Sequence, residues 1–371
     1  MCYTTFLSKS LTKPFIAVLA GLFIYAGCSE MPNTTNDAVL SGQEVHSELS
    51  SASHSSPNVV EIISRHEGDE YIFELSTDEI PTGWTTFRLI NDSHSTHFAY
   101  LAQIPQNAKD GAVEDEAELL DYWIKHVTNP FQFFMDGLLP EKEQNFENFP
   151  TKYEETFFPP WFGEELPSGG PGFTSGMTTS ETTVYLEEGE YIVECYVKNA
   201  VGDFHSYLGM IELLSVSDEF GDGEHQSPAY TQEVSISSEN GIEFDRHIPA
   251  GEHTFKVTFE DQAVYDHLLG HDIHLVTQGH GMSAPSKLND WMNWMLPNGL
   301  ESSSSSDLGP QKFLGGVQTI LTPEMLAGEE KATAYFHVDL KPGRYIWVAE
   351  VPDPQSKGMM KAFTVSQGAG R

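Results

Sequence analysis

Cys195, His205 and Met210 follow one another in the stretch 191–210, YIVECYVKNAVGDFHSYLGM, with nine and then four residues between them. A thiolate, an imidazole and a thioether on one short loop form a soft donor set. With a second imidazole from elsewhere they make the trigonal site, with a weak axial thioether, that suits a redox-active copper ion. His97, in NDSHSTHFAYL, is the upstream donor this pattern needs, and His94 three residues earlier is its alternative. Each residue also has a plainer reading: a lone Cys as a small hydrophobe, His205 as a solvated loop residue, Met210 as core. Their order and spacing together favour the metal.

Strands must position these groups. In YIVECYV, alternation puts Tyr191, Val193, Cys195 and Val197 on one face and Ile192, Glu194 and Tyr196 on the other. Cys195 then points into an apolar interior, where a thiol resists ionisation unless a metal stabilises the thiolate. EYIFELS, TTFRLIN and HFAYLAQ carry the same β texture between turn signals, with IPTG and Glu188-Gly189 as turns. Residues 113–127 break that texture: Ala117, Leu120, Trp123, Ile124 and Val127 fall at helical spacing. Residues 130–171 are aromatic and aperiodic, with FQFF, FFPPWF and SGGPG, which reads as a long loop: a lid on the sandwich or a partner-docking surface.

Much of the chain is written twice. IPTGWTTFRLIND (80–92) matches IPAGEHTFKVTFE (248–260), LEEGEYIVEC (186–195) matches LKPGRYIWVA (340–349), and LGMIELLSV (208–216) matches KGMMKAFTV (357–365). Three blocks in one order imply an internal duplication. HDIHLVTQ then answers THFAYLAQ, and NDWMNWM stands where the first copy has its helix. The expected fold class is all-β: two tandem Greek-key β-sandwiches, each with a short helical insertion, at 59–216 and 233–371, joined by a Gly- and Asp-rich linker at 217–232. The serine run 302–306 reads as a mobile loop.

Residues 1–27 carry Lys9 and Lys13, no acid, and an apolar run too short to span a bilayer, as a secretory leader does. Small residues before Cys28 resemble a lipoprotein cleavage box, with Tyr25 where a Leu is usual, so Cys28 is the expected lipidation site. Residues 28–58, rich in Ser, Thr, Asn and Asp, read as a flexible tether. Cys2 leaves with the leader, so Cys195 has no cysteine to pair with inside the chain. Two lysines also leave, taking the net charge from −36 to −38. That charge argues against nucleic acid or anionic lipid as partners and leaves the lipid anchor as the membrane contact. A saline environment and a cationic partner both fit it.

The strand pattern, the upstream His and the closing Cys–His–Met loop resemble the cupredoxin (blue copper) family, in particular secreted bacterial cupredoxin-like domains with an IPxGW turn. The resemblance covers both copies, and the ligand motif only the first. It implies His97 and His205 as imidazole ligands, Cys195 as thiolate and Met210 as axial thioether of one copper centre. The Cys-to-His spacing is longer than in small blue copper proteins and nearer that of two-domain copper enzymes. The second copy has Ala349 for the cysteine and Pro354 for His205, keeping Met359 and His274, so it is expected to hold no such centre. His267, His271, His274 and His280, with Met282 following, form a cluster there that reads as partly solvated and partly core.

The expected role is an extracytoplasmic one-electron carrier in a bacterial cell envelope, serving redox or copper-handling partner proteins. Copper storage or delivery, and a structural or adhesion sandwich without metal, are the alternatives. An enzyme reading fits less well. Related two-domain enzymes place histidines beside the type 1 cysteine for further copper ions, whereas Glu194 and Tyr196 flank Cys195 here.

Overall fold

The computed structural model describes residues 58–68, 70–138, 159–220, 227–266, 268–278, 285–296, 298–302 and 312–367. The leader, Cys28, nearly all of the tether, His267, His280, Met282 and serines 303–306 lie outside the described residues. Segments with alternating apolar residues form strands, as the pattern requires. In β11 (Gly251–Phe259) His253, Phe255, Val257 and Phe259 turn inward, while Thr254, Lys256 and Thr258 are half-buried on the other face.

The chain is an all-β double sandwich, and its duplication is visible in how the strands pair. In the first copy β1 (Asn58–Glu67) runs antiparallel to β2 (Glu70–Leu75) and parallel to β3 (Glu79–Asn91). β3 in turn pairs antiparallel with β6 (Thr178–Leu186). In the second copy β9 (Gln232–Ser237) is antiparallel to β10 (Gly241–Phe244) and parallel to β11, which pairs with β14 (Ala332–Leu340). The other layer repeats in the same way. β4 (Tyr100–Gln103), β7 (Gly189–Glu194) and β8 (Ile211–Phe220) lie side by side, as do β12 (Ile273–Gln278), β15 (Gly343–Val348) and β16 (Met360–Val365). The short β5 (Leu166–Pro167) lies on the outer edge of β4.

The copies fuse along both layers. Tyr335–His337 of β14 pair with Glu181–Thr183 of β6, so one sheet runs through both sandwiches. In the opposite layer, isolated bridges Pro171↔Val317 and Thr174↔Leu314 join the segment leading into β6 to β13 (Lys312–Val317). Strand edges that would otherwise invite aggregation are thereby paired within the chain.

The helical insertion differs from the sequence reading. Instead of one helix at 113–127, there is α1 (Gln106–Asp115), α2 (Leu119–Trp123), a π-helical turn (Ile124–Thr128) and α3 (Asn129–Leu138). Glu116, with φ 54°, ends α1 in a left-handed cap, which splits the expected helix. Pro130 sits in the first turn of α3, where a missing N–H costs nothing, so FQFF is helical and not loop. Trp123 and Trp161 pack with α1 and α2 over Ile192 and Ile211, on the face of β7 opposite Cys195. Fully burying side chains of this size contributes about 1.5–3 kcal/mol each. Residues 139–158 of the expected lid lie outside the described residues. β8 also continues through Phe220, into the stretch read as linker. Ser302 is held in place: its Oγ accepts from the Thr96 N–H at 2.7 Å.

Candidate metal centre

β7 delivers Cys195 one residue past its end, and the chain then doubles back. The His205 N–H donates to the Val197 carbonyl at 2.8 Å and the Ser206 N–H to the Cys195 carbonyl at 2.8 Å. The Cys195 N–H donates to the Met210 carbonyl at 3.2 Å, and the Met210 N–H to that of His205 at 2.9 Å. The nine-residue spacing is therefore a closed hairpin that folds His205 back over Cys195. Its outer arm is tied to the second copy, where the Lys198 N–H reaches the Leu300 carbonyl at 2.9 Å.

His97 arrives from the other side, just before β4. It exchanges two main-chain hydrogen bonds with Thr174, at 3.1 and 2.7 Å. The Asn91 side-chain amide donates to the carbonyls of Ser95 and Thr174, both at 2.8 Å, and so fixes the turn that carries His97.

The side chains converge. Cys195 Sγ lies 3.7 Å from Nδ1 of His97 and 3.7 Å from Nδ1 of His205, and the two Nδ1 atoms are 3.0 Å apart. All three residues, and Met210, are wholly buried. His94 is exposed and takes no part in this cluster. Among the described residues this is the one group of three or more His, Cys, Asp or Glu side chains close enough to share an ion.

Burial sets the protonation of these groups. It pushes the Cys195 thiol up to about 12, so the metal-free sulfur keeps its proton at neutral pH. It also lowers both His97 and His205 well below the usual imidazole range, with neighbouring histidines adding to the shift. Two neutral imidazoles and a thiol whose ionisation a metal would favour are donors a copper ion fits. His205 Nε2, buried and without a hydrogen-bond partner among the described residues, leaves Nδ1 as the ring atom aimed at the cluster.

Three residues around the site were not legible in the sequence. Nε2 of His97 meets Ser93 Oγ at 2.9 Å and Nε2 of His66 at 3.1 Å, and such contacts orient a ligating ring. Tyr71 stacks on the His205 ring, with centroids 4.3 Å apart and planes inclined by 27°. His66 and Tyr71 face each other across the β1–β2 hairpin. The turn signal HEGDE marks that hairpin, but no pattern says that it caps the loop carrying His205. Gly209 permits the close approach: at φ 114° a Cβ there would meet the Tyr71 carbonyl oxygen at 2.9 Å.

The second copy keeps the frame of this site without its donors. The Ala349 N–H donates to the Met359 carbonyl at 3.0 Å and the Met359 N–H to that of Pro354 at 2.8 Å, repeating the bonds among Cys195, Met210 and His205. The partner of His97 is corrected by register. Tyr100 pairs with Glu194, and His274 pairs with Val348, the residue matching Glu194. His271, three residues before His274, is thus the counterpart of His97. Tyr265 places its hydroxyl 3.3 Å from His271 Nδ1 and 3.8 Å from Met359 Sδ. His274 serves packing: Nδ1 accepts from the Phe173 N–H at 3.2 Å and Nε2 meets Asp272 at 2.5 Å.

No known protein family matches the chain, and no curated protein sequence does either. Solved structures overlap parts of it. Auracyanin A, a "blue" copper protein from Chloroflexus aurantiacus, is 15% identical and covers 44% of this chain and 100% of its own, at a TM-score of 0.23. A blue copper oxidase from Nitrosomonas europaea is 10% identical and covers 84% and 86%, at 0.21. A copper-containing nitrite reductase from Thermus scotoductus is 12% identical and covers 84% and 62%, at 0.20. Likenesses this weak leave the chemistry of the site to be read from its own side chains.

Proposed function

We propose that this chain is an extracytoplasmic copper protein that carries single electrons between partner proteins. Its one centre would be held by His97, Cys195, His205 and Met210. The observation that carries the reading is the convergence of Cys195 Sγ and two imidazole Nδ1 atoms, each 3.0–3.7 Å from the others, among wholly buried side chains. When bound, copper supplies a one-electron couple. The protein's part is to hold the donors still and keep water out. Paired strands fix Cys195 and His97, and the hairpin hydrogen bonds fix His205 and Met210. A donor set fixed before the metal binds reorganises little when the charge at its centre changes.

Glu194 and Tyr196 beside the cysteine, in place of histidines, favour a carrier over an oxidase with further copper ions. The leader and Cys28 support a lipid-anchored position in a bacterial envelope, facing the periplasm or exterior. Among the described residues, no helix is long and apolar enough to cross a membrane.

Cu(II) added to the soluble form that starts after Ser29 should give an intense thiolate-to-copper band in the visible, at one copper per chain. Cys195→Ala should abolish it, and His94→Ala should leave it intact. A colourless protein that still binds Cu(I) tightly would shift the reading to storage or delivery. No stoichiometric copper at all would return the chain to a structural or adhesive role.

A further inference from the structure

The face of β7 opposite the candidate metal centre opens on a separate cavity of about 260 Å³. That is room for several waters or for a small organic molecule. Both copies build it: Leu268, Leu269, Trp294 and Leu321 come from the second, and the helical insertion supplies Trp123 and Phe131.

Its wall is a run of aromatic rings. Centroids of Trp123 and Phe162 are 6.4 Å apart, Phe162 and Phe131 5.6 Å, Phe131 and Trp294 6.0 Å, and Trp294 and Phe204 5.9 Å. Across from them stand Tyr100 and Tyr196, 5.8 Å apart. Two carboxyl groups, Glu165 and Glu194, also line the cavity. Tyr100 donates to Glu165 at 2.7 Å, and the Glu194 carboxyl has no hydrogen-bond partner among the described residues. No Lys or Arg lines the cavity among the described residues.

This combination selects by charge. Burial pushes both carboxyls above the usual carboxylate range, Glu165 to about 7. The cavity is therefore lined by carboxyl groups held short of full ionisation, which a cation stabilises in their charged form and an anion does not. A purely apolar guest would seal the Glu194 carboxyl away from water with nothing to bond. An organic cation satisfies both surfaces, because its N–H groups pair with the carboxyls while the ring faces attract its positive end. We propose that the cavity binds a small organic ammonium ion carrying an aromatic or comparably bulky apolar group.

The test uses the full chain without its leader, both copper-free and copper-loaded, so that its outcome is independent of the metal. Benzylammonium, benzyl alcohol, benzoate and ethylammonium are titrated by calorimetry and by tryptophan fluorescence, which Trp123 and Trp294 should report. Benzylammonium should bind at one site, at least tenfold more tightly than the other three. Glu194→Gln should remove most of that preference while benzyl alcohol binding is kept. Trp294→Leu should weaken benzylammonium binding with the Glu194 carboxyl intact. Equal binding of benzylammonium and benzyl alcohol would overturn the charge argument. Equal binding of benzylammonium and ethylammonium would mean attraction to the acidic surface only. No binding by any of the four would refute the site.

Discussion

The ring of Tyr71 lies over the ring of His205 at 4.3 Å, so the candidate metal centre is closed from the hairpin side by an aromatic residue of another strand pair. His205 is wholly buried beneath it. In Tyr71→Leu the ring stack, a contact of about 0.5–1.5 kcal/mol beyond its buried area, is lost and the face of the imidazole is uncovered. Copper should still bind, and small inorganic reductants should bleach the visible band faster in stopped-flow mixing. An unchanged rate would mean that Tyr71 does not limit access.

Gly209 makes that closure sterically feasible. Its φ of 114° is a region side chains rarely adopt, and an added methyl would press on the Tyr71 carbonyl. Gly209→Ala should therefore cost about 1–3 kcal/mol in urea denaturation of the metal-free protein. It should also weaken copper binding, since the loop carrying His205 and Met210 must shift. Wild-type stability in the variant would show that the hairpin and loop are not packed as described.

The vestigial frame in the second copy can be refilled. His271 and Met359 occupy the places of His97 and Met210, and the Tyr265 hydroxyl sits against both. The triple variant Ala349→Cys, Pro354→His, Tyr265→Phe supplies a thiolate and an imidazole and removes that hydroxyl. Metal analysis should then find a second copper per chain, with a second contribution to the visible band. A stoichiometry still at one would refute the correspondence of His271 with His97.

His271 also sets part of the acid stability. Burial lowers it to about 4 from an ordinary 6.5, against the opposing pull of Asp261 and Asp272. Between those values the unfolded chain binds the proton and the folded chain does not. Stability from this group is therefore present above pH 6.5 and is lost as the pH falls toward 4, by about 3 kcal/mol in all. His271→Leu should flatten the acid limb of the stability curve by that amount in urea melts between pH 4 and 7. Parallel acid limbs in the two proteins would show that the group titrates normally.

What the sequence determined is local. Alternation in YIVECYV fixes which face Cys195 shares with Val193, because a strand has a period of two whatever surrounds it. The duplicated blocks fix two copies of one sandwich, and the pairing of β3 with β6 recurs as β11 with β14. The order Cys195, His205, Met210 pointed to a metal loop because its residues are neighbours along the chain. The helix boundaries depart from the periodic pattern where Glu116 turns left-handed and Pro130 begins a new helix, and Trp123, between those breaks, packs on Trp161 from far along the chain. The rest depended on tertiary structure. His66 and Tyr71 reach the site only because a distant hairpin folds over Gly209, and it is the pairing of β12 with β15, His274 against Val348, that makes His271 the counterpart of His97. The aromatic cavity exists only where the two copies meet. Contacts between residues far apart in the chain leave no period to read, and they decide what closes each pocket and what charge it holds.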